Sequence, residues 1–218
     1  MPIDILANVL LDEADKALER RGHCFVRYAD DANVYVRSRK AGERTMALLR
    51  RLYGKLCLTV NETKSAVAGV FGRKFLGYSF WVAPGGVIKR KVAVKPMATF
   101  KQRIRQLTRR SGGRSLPDVV ARLRSYVLGW KAYFRLAQTP GVLKDLDKWL
   151  RHRLRAVQLK QWKRGKTMHR ELLALGAKPN VALQVAANSR RWWRNSGMLL
   201  NAVLTLEWAD ALGIPRLS

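Results

Sequence analysis

The fold of this chain is decided by one segment, Phe25-Val26-Arg27-Tyr28-Ala29-Asp30-Asp31, in which an apolar run leads into two adjacent carboxylates. The β-rich runs 24–28 and 34–36 flank residues 29–33, so the pattern predicts a β-hairpin with Asp30 and Asp31 at its tip. A tight turn lets both carboxylates reach one site, where hard oxygen ligands suit the Mg²⁺ ions of two-metal phosphoryl transfer. The alternative is a solvated turn, because acids are common turn formers.

The segments on either side of this hairpin alternate between helix and strand patterns. Apolar residues at three-to-four spacing predict a helix from Leu6 to Leu18, which Gly22 ends, and a second helix over 45–56. Short apolar segments predict strands over 56–60, 65–70, 75–82 and 87–94. Residues 1–95 are therefore predicted to form an α+β domain.

From Pro96 onward the hydrophobic period is that of a helix. Long apolar stripes predict helices over 96–110, 117–134 and 143–157, and shorter patterns predict helices over 166–175, 180–187 and 198–212. The stripes include Trp130, Tyr133, Phe134 and Trp149, which are expected mainly in the core. Residues 96–218 are predicted to form an all-α domain.

The charge of the chain is strongly positive and unevenly distributed. The 218 residues contain 43 Lys and Arg against 15 Asp and Glu, a net charge of +28. Residues 1–72 carry 12 basic and 9 acidic side chains, whereas residues 73–218 carry 31 and 6. Such an excess opposes compaction unless a polyanion relieves it, which favours nucleic acid or an anionic membrane surface as the partner.

Several protein classes are excluded by the same composition. No stretch approaches the roughly 18–20 uncharged apolar residues of a membrane-spanning helix. The N-terminus has no basic region ahead of an apolar core, so a cytoplasmic protein without a membrane partner is expected. Cys24 and Cys57 lack the spacing of a zinc site, and both are expected to be buried thiols.

Four motifs give the first part of the chain a family resemblance. Tyr28-Ala29-Asp30-Asp31 resembles the metal-binding hairpin in the palm of reverse transcriptases, and residues 6–13 with Arg21-Gly22 resemble the helix before it. Residues 58–64 are similar to the next palm motif, and Phe75-Leu76-Gly77-Tyr78 is similar to the primer-grip hairpin. The order and spacing of the motifs match the family, which a chance Asp-Asp turn would not produce.

The second part of the chain narrows the resemblance to group II intron-encoded reverse transcriptases. Residues 124–134 resemble the Gly-Trp-x-x-Tyr-Phe segment of their maturase, or thumb, domain. Residues 146–155 and 160–164 are similar to its basic helix, and residues 191–196 through Trp208 resemble its end. The resemblance implies the C-terminal half of a palm, with helices on an antiparallel sheet, over 1–95 and an all-α thumb over 96–218.

The resemblance also implies roles for individual residues in RNA-directed DNA synthesis and intron RNA binding. Asp30 and Asp31 would hold Mg²⁺, and Lys64 would lie near the nucleotide phosphates as a proton donor to pyrophosphate. The residues expected near primer, template or nucleotide are Tyr28, Ala29, Phe75, Leu76, Gly77 and Tyr78. Apart from the resemblance, the positions of Lys148, Arg151, Arg155 and Lys163 predict an exposed phosphate-binding face, because they lie off the leucine stripe of the predicted helix at roughly helical spacing. The other residues expected to bind RNA are Arg164, Arg190, Arg191 and Arg194. Trp162, His169, Trp192 and Trp193 are candidates for stacking on bases.

One departure from the family limits the catalytic prediction. Family members carry fingers and the first half of the palm upstream, with a strand whose Asp supplies a third metal ligand. The present sequence begins after that region, and its helix pattern does not place Asp4 or Asp12 beside the hairpin. The metal site is therefore expected to be incomplete, and autonomous polymerisation is not expected.

Four functions stay open from the sequence. The chain is a reverse transcriptase that needs a separate chain to supply fingers and the first palm half, or a non-catalytic RNA-binding cofactor of splicing. The third alternative is an inactive, truncated relic of the gene. The fourth, a generic basic DNA-binding protein, is disfavoured by the palm-like hairpin.

Overall fold

The computed structural model describes the backbone of residues 2–218 and the side chains of residues 8–218. Helices and small antiparallel sheets make up this part of the chain, which confirms the predicted α+β class. The chain divides into two compact units, one ending at Phe80 and the other running from Trp81 to Ser218. The domain boundary predicted after Lys95 stays a prediction.

The first unit combines two helices with a β-hairpin. Its elements are α1 (Pro2–Glu19), β1 (Cys24–Tyr28), β2 (Asp31–Tyr35), α2 (Arg39–Lys55), β3 (Lys74–Phe75) and the beginning of β4 (Tyr78–Val82). Strands β1 and β2 pair antiparallel, and α1 packs on both α2 and β1. The buried face of α1 contains Leu11, Ala14, Ala17 and Leu18. Leu6, the first residue of the predicted stripe, lies outside the described side chains.

Helix α2 begins earlier than its apolar stripe indicates. Ser38 is its N-cap, with the side-chain oxygen accepting a hydrogen bond from the Ala41 backbone N–H at 3.2 Å. A capping serine satisfies an otherwise unpaired backbone donor, so the helix includes a polar first turn that carries no hydrophobic signal. The predicted start at residue 45 is therefore wrong.

Two of the predicted strands are wrong, and a third is divided. Residues 56–60 and 65–70 form no regular strand, because an apolar run becomes a strand only beside a partner with free backbone groups. The strand predicted over 75–82 is a hairpin in which Phe75 pairs with Tyr78. Leu76 and Gly77 form its turn with φ of 49° and 76°, a left-handed conformation that glycine adopts without steric cost.

The second unit is mostly helical. Its elements are the end of β4, then β5 (Ile88–Val92), α3 (Val94–Leu107), α4 (Leu116–Tyr133), α5 (Pro140–Trp162), α6 (Gly165–Ala174), α7 (Pro179–Ala187), α8 (Trp192–Gly197) and α9 (Leu206–Ala211). The strand order of the sheet is β3-β4-β5, and the division between the two units falls within β4. The single helix predicted over 198–212 is wrong, since a 3₁₀ turn, Leu199–Ala202, and α9 occupy that region.

The core of the second unit surrounds α5, which buries Leu146, Leu150, Leu154 and Val157. A cluster at its C-terminal end joins it to later helices, and contains Leu159, Met168, Leu172, Ala177, Ala182, Val185, Leu200 and Leu204. At the other side, the rings of Phe100 and Trp130 lie 4.5 Å apart, and those of Trp130 and Phe134 lie 4.7 Å apart. Trp130 and Phe134 are buried as predicted.

Two of the aromatic residues expected in the core are not buried. Tyr133 is 57% exposed and Trp149 is half-buried. Tyr133 directly precedes the buried Phe134, and neighbouring helical residues point about 100° apart, so both cannot face the same core. The prediction that Tyr133 lies in the core is therefore wrong.

A buried carboxylate fastens the residues that follow α9 to α5. Asp147 on α5 is 4% exposed. Its carboxylate accepts hydrogen bonds from the backbone N–H of Leu217 at 3.0 and 3.1 Å and from that of Ser218 at 3.1 Å. The Ser218 hydroxyl also donates to it at 3.0 Å. This single acid therefore satisfies three donors.

The two cysteines correct a further prediction. Cys24 and Cys57 are both exposed, not buried. Cys24 lies on the open side of the two-stranded β1–β2 ribbon, and Cys57 lies in the turn after α2 with φ of 55°. In the part of the chain that is described, no helix is both long enough and apolar enough to span a membrane.

Candidate functional site

The acidic hairpin turns more tightly than the sequence predicts. Tyr28 pairs with Asp31, so only Ala29 and Asp30 form the loop and Asp31 opens β2. Ala29 has φ of 52°, as expected for a two-residue hairpin turn. Both carboxylates are exposed at the end of the ribbon. The structure thus brings Asp30 and Asp31 together at one turn.

A partly buried arginine connects this turn to α1 through hydrogen bonds. Arg27 on β1 donates from Nε and Nη2 to the Asp15 carboxylate of α1 at 2.8 and 2.6 Å. Its Nη1 donates to the Asn8 side-chain oxygen at 2.8 Å and to the Ala29 carbonyl oxygen at 3.0 Å. The side chains of Arg27 and Asp15 are only 14% and 20% exposed. The hydrogen bond to Asp15 raises the pKa of Arg27, so the guanidinium stays charged while it fixes the loop.

Sequence reasoning missed this support. The only signal for it is an arginine in the middle of an otherwise apolar strand. Tyr53 of α2 is part of the same cluster, because burial raises the pKa of its phenol and the nearby Asp15 raises it further. Helix α1, strand β1 and helix α2 therefore meet beneath the acidic turn.

The donor set at this turn is short of a two-metal site. Asp30 and Asp31 are the hard oxygen ligands that Mg²⁺ prefers. Among the residues whose side chains are described, no three His, Cys, Asp or Glu side chains come together to hold a metal ion. Asp12 forms an ion pair with Lys16 at 2.6 Å, and Asp15 is held by Arg27. Asp4 lies outside the described side chains. The described residues therefore do not fit a complete two-metal centre.

The other palm-like residues lie on separate elements of the first unit. Phe75, Leu76, Gly77 and Tyr78 form the β3–β4 hairpin. Lys64 is exposed in a turn in which its backbone N–H donates to the Asn61 carbonyl oxygen at 3.1 Å. The role of Lys64 near nucleotide phosphates stays a prediction.

The predicted RNA-binding residues fall into two groups. Those at the surface are Lys148, Lys163, Arg164, Arg190, Arg191 and Arg194, which lie on α5, on the turn after it and around the start of α8. Arg151 is half-buried, and burial lowers the pKa of its guanidinium. Arg155 is buried.

Arg155 lies inside the fold, not on the exposed face expected for it. It is 5% exposed, and its Nε and Nη1 donate to the carbonyl oxygens of Leu204 at 2.7 Å and Ser196 at 3.4 Å. Burial lowers its pKa to about 10. The helical spacing could not reveal this, because the later segment 196–204 covers a face of α5 that no local pattern marks as buried.

Cations and aromatic rings come together between α3, α5 and α8. The sequence predicted only part of this group. The Arg110 guanidinium lies 3.8 Å from the centre of the Trp192 ring. The rings of His152 and Trp193 stack at 3.7 Å. Gly197 permits this stack, since a Cβ there would lie 2.9 Å from His152 Cε1. The Arg-Trp-Trp-Arg run 191–194 was the signal available in the sequence. No local pattern indicated that residues of α3 and α5 would join it.

His152 is expected to make the stability of the protein depend on pH. Desolvation lowers the pKa of His152, although the hydrogen bond from Nε2 to the Trp193 carbonyl oxygen, 2.9 Å long, raises it. The unfolded chain therefore binds more protons below its ordinary pKa of about 6.5. The free energy of unfolding is expected to be level above about pH 6.5 and to fall as the pH drops toward the lowered folded pKa.

Urea unfolding at pH 8.0 and pH 5.5 checks this prediction. Tryptophan fluorescence reports on the second unit alone, because all seven tryptophans follow residue 80. His152→Gln is expected to remove most of the difference between the two pH values, whereas His169→Gln keeps it. Equal pH dependence in the His152→Gln variant and the parent protein would contradict the prediction.

The second unit carries positive charge that its own acids do not balance. Residues 81–218 contain 29 Lys and Arg against 6 Asp and Glu. Among the described residues, ion pairs there join Lys148 to Asp145, Arg170 to Glu171 and Arg216 to Asp210. Asp147 is occupied by the backbone of 217–218. The unit therefore carries a large positive charge that its own acids leave unneutralised.

Comparison with protein families identifies both halves of the chain. A family model described as "Reverse transcriptase (RNA-dependent DNA polymerase)" matches residues 4–80. A second model, "Group II intron, maturase-specific domain", matches residues 97–176. A comparison with curated proteins gave no match. The order of these two matches, together with the acidic hairpin and the basic helical unit, shows that the chain belongs to the group II intron reverse transcriptase/maturase family.

Proposed function

We propose that this chain binds group II intron RNA through its second unit and contributes the acidic palm hairpin to RNA-directed DNA synthesis. Residues 1–95 would be the C-terminal half of a palm and residues 96–218 the maturase, or thumb, domain. The reverse transcriptase and maturase matches support this division of roles. The observation that carries the proposal is the unbalanced charge of 29 cations against 6 acids in residues 81–218.

RNA binding is the part of the proposal that the second unit supports by itself. A surface with several unpaired cations gains affinity by releasing counterions from phosphates. Exposed cations occur on α5, on the following turn and beside α8, so they can follow a nucleic-acid backbone over several phosphates. Structured RNA is read mainly through backbone, shape and stacking, which suits a helical surface with accessible tryptophans.

The role of the hairpin in DNA synthesis needs ligands beyond Asp30 and Asp31. Reverse transcriptases as a family depend on a divalent metal, and the two exposed carboxylates supply part of an oxygen donor set. Further carboxylates would come from protein outside the described side chains or from a separate chain with fingers and a first palm half. Such a partner would also restrict solvent around the hairpin.

Primer extension on an RNA template tests the catalytic half. The purified chain is expected to give no extension with Mg²⁺ or Mn²⁺. Addition of a family protein fragment that carries the first palm carboxylate is expected to give extension, which Asp30→Asn and Asp31→Asn in this chain each abolish. Extension by the chain alone that both variants abolish would show that these residues already complete a metal site.

Binding to RNA is measured separately so that the two halves are not confused. A transcript of a group II intron is expected to bind the full chain more tightly than an unrelated structured RNA of the same length at the same salt concentration. Asp30→Asn is expected to bind as tightly as the parent chain. Equal affinity for both RNAs would leave only generic polyanion binding and contradict intron recognition.

A second candidate function is a splicing cofactor without polymerase activity. The absence of a third acidic ligand from the described side chains favours it. In this case the RNA performs the chemistry and the protein stabilises its folded form. Intron splicing that the chain accelerates equally with and without Asp30→Asn and Asp31→Asn, combined with no extension after complementation, would favour this candidate.

A further inference from the structure

A basic pocket of about 340 Å³ lies in the second unit between the end of α3, the middle of α5 and the start of α8. Five of its lining residues are cationic: Arg105, Arg109, Arg110, Arg153 and Lys160. Trp192 and Trp193 also line it, and none of the residues that line it is acidic. The volume is at the lower end of the roughly 300–1,000 Å³ typical of small-ligand sites.

Two of the arginines are fixed by the fold. Arg153 Nε donates to the Thr108 hydroxyl at 2.6 Å, and Arg110 Nε donates to the Ala156 carbonyl oxygen at 3.1 Å. Stacking on Trp192 holds the Arg110 guanidinium plane as well. A guanidinium has five N–H donors, and in the described part of the chain no hydrogen bond uses the Nη atoms of Arg110. Donors therefore remain for a ligand in a preset geometry.

No carboxylate neutralises this group of cations. None of the five forms an ion pair within the described part of the chain, where the two acids of α5, Asp145 and Asp147, are engaged by Lys148 and by residues 217–218. Burial lowers the pKa of both Arg110 and Arg153, because desolvation disfavours their charged forms, so folding holds these charges at a free-energy cost. An anion in the pocket would offset that cost, and a phosphate matches the planar guanidinium best.

The aromatic wall gives the pocket a second kind of recognition. Trp193 is 40% exposed, and one partner, His152, already stacks on its ring. Trp192 meets Trp193 edge-on at 5.6 Å, and the Arg153 guanidinium lies 5.9 Å from the centre of the Trp193 ring. An exposed, immobilised indole beside phosphate-binding arginines is a platform on which a nucleobase stacks.

We propose that this pocket takes one unpaired nucleotide of a bound RNA, with its phosphate bound by the Nη donors of Arg110 together with Arg109 and Lys160 and its base against Trp193. The proposal rests on RNA binding by the second unit, as proposed above, and adds the part of the RNA that is recognised. A paired nucleotide keeps its nucleobase inside the RNA helix. Only a bulged or looped nucleotide can therefore insert its nucleobase into a concave site. The pocket therefore selects RNA by local structure.

Two RNA hairpins that differ in one nucleotide test the proposal. One hairpin is fully paired in its stem and the other carries a single bulged adenosine. Both are labelled with fluorescein, and their binding to the full chain is followed by anisotropy at 150 mM salt. The bulged hairpin is expected to bind about tenfold more tightly, the size of effect that one stacked base gives.

Three variants assign the preference to the pocket. Arg109→Gln with Lys160→Gln, and separately Trp193→Leu, are expected to remove the preference for the bulge, whereas Trp193→Phe keeps most of it. Arg135→Gln, an exposed cation outside the pocket lining, is expected to weaken binding of both hairpins by the same factor. The urea midpoint of each variant, followed by tryptophan fluorescence, shows that it is folded.

The possible results separate the two proposals. Equal binding of both hairpins by the parent chain, or a preference that survives in the double variant and in Trp193→Leu, would overturn the nucleotide pocket while RNA binding stands. Failure of the chain to bind either hairpin or the intron transcript would overturn RNA binding itself, and the pocket with it.

Discussion

We expect Asp147→Ala to lower the free energy of unfolding of the second unit by about 3 kcal/mol, because it leaves the buried backbone N–H of Leu217 without an acceptor and removes two further hydrogen bonds from Ser218. The carboxylate accepts from Leu217 N–H, Ser218 N–H and the Ser218 hydroxyl, and Leu217 is itself 4% exposed. Water cannot replace the lost acceptor at so buried a backbone group. Urea unfolding followed by tryptophan fluorescence measures the effect, because every tryptophan lies in this unit.

The same helix provides a matched control for this prediction. Asp145 is exposed and forms an ion pair with Lys148 at 3.2 Å. Asp145→Ala is expected to change stability by less than about 0.5 kcal/mol, as exposed ion pairs contribute little. Asp147→Asn retains one acceptor oxygen and is expected to lose roughly half as much as the alanine variant. Similar losses in Asp145→Ala and Asp147→Ala would show that residues 217–218 are not fastened by this acid.

Arg27→Ala is expected to destabilise the acidic hairpin by about 2 kcal/mol, since it strands a partly buried Asp15 carboxylate and removes the donor to Ala29. The first unit contains no tryptophan, so hydrogen exchange of the amides of residues 24–35 is the suitable measurement. Their protection is expected to fall by roughly 30-fold, the equivalent of that free energy. Arg27→Lys keeps the charge but loses the bidentate geometry. Its amide protection is expected to lie between that of the parent chain and that of Arg27→Ala.

A double-mutant cycle separates the Arg27–Asp15 pair from other effects of the substitution. Asp15→Ala and the double variant are expected to show strong non-additivity, because both remove one interaction. Lys16→Ala, which removes the exposed pair with Asp12, is the control and is expected to leave protection of 24–35 almost unchanged. Additive effects of the Arg27 and Asp15 substitutions would show that the pair does not hold the turn.

Local patterns were enough to predict the α+β class, the helices α3 to α7 and the acidic hairpin. Periodicity located α3, α4 and α5 because each has a continuous apolar stripe, and Asp30 and Asp31 stood out because a strand leads straight into them. Where structure depends on hydrogen bonding at an element's end, the patterns were insufficient. The polar first turn of α2 is set by the Ser38 cap, and the length of the β1–β2 turn by the Tyr28–Asp31 register.

The remaining errors concern contacts between residues far apart in the sequence. Arg155 had the spacing of a surface cation, yet segment 196–204 covers it and supplies its acceptors. The basic pocket combines α3, α5 and α8, which share no local motif. The strands predicted over 56–60 and 65–70 had suitable composition but did not pair as strands. Such features need knowledge of packing that hydrophobic periodicity does not contain.

Under the proposed RNA binding, the shortage of acids in the second unit would make RNA a folding ligand for the protein. Any molecule that binds only the folded state raises its stability, by about 2.7 kcal/mol when present at a hundred times its dissociation constant. With 29 cations and 6 acids in residues 81–218, a bound RNA would supply the counter-charge that the polypeptide lacks. The same coupling free energy acts in reverse on the transcript. Protein and RNA would therefore each favour the compact form of the other, so that neither is at its most stable until both are assembled.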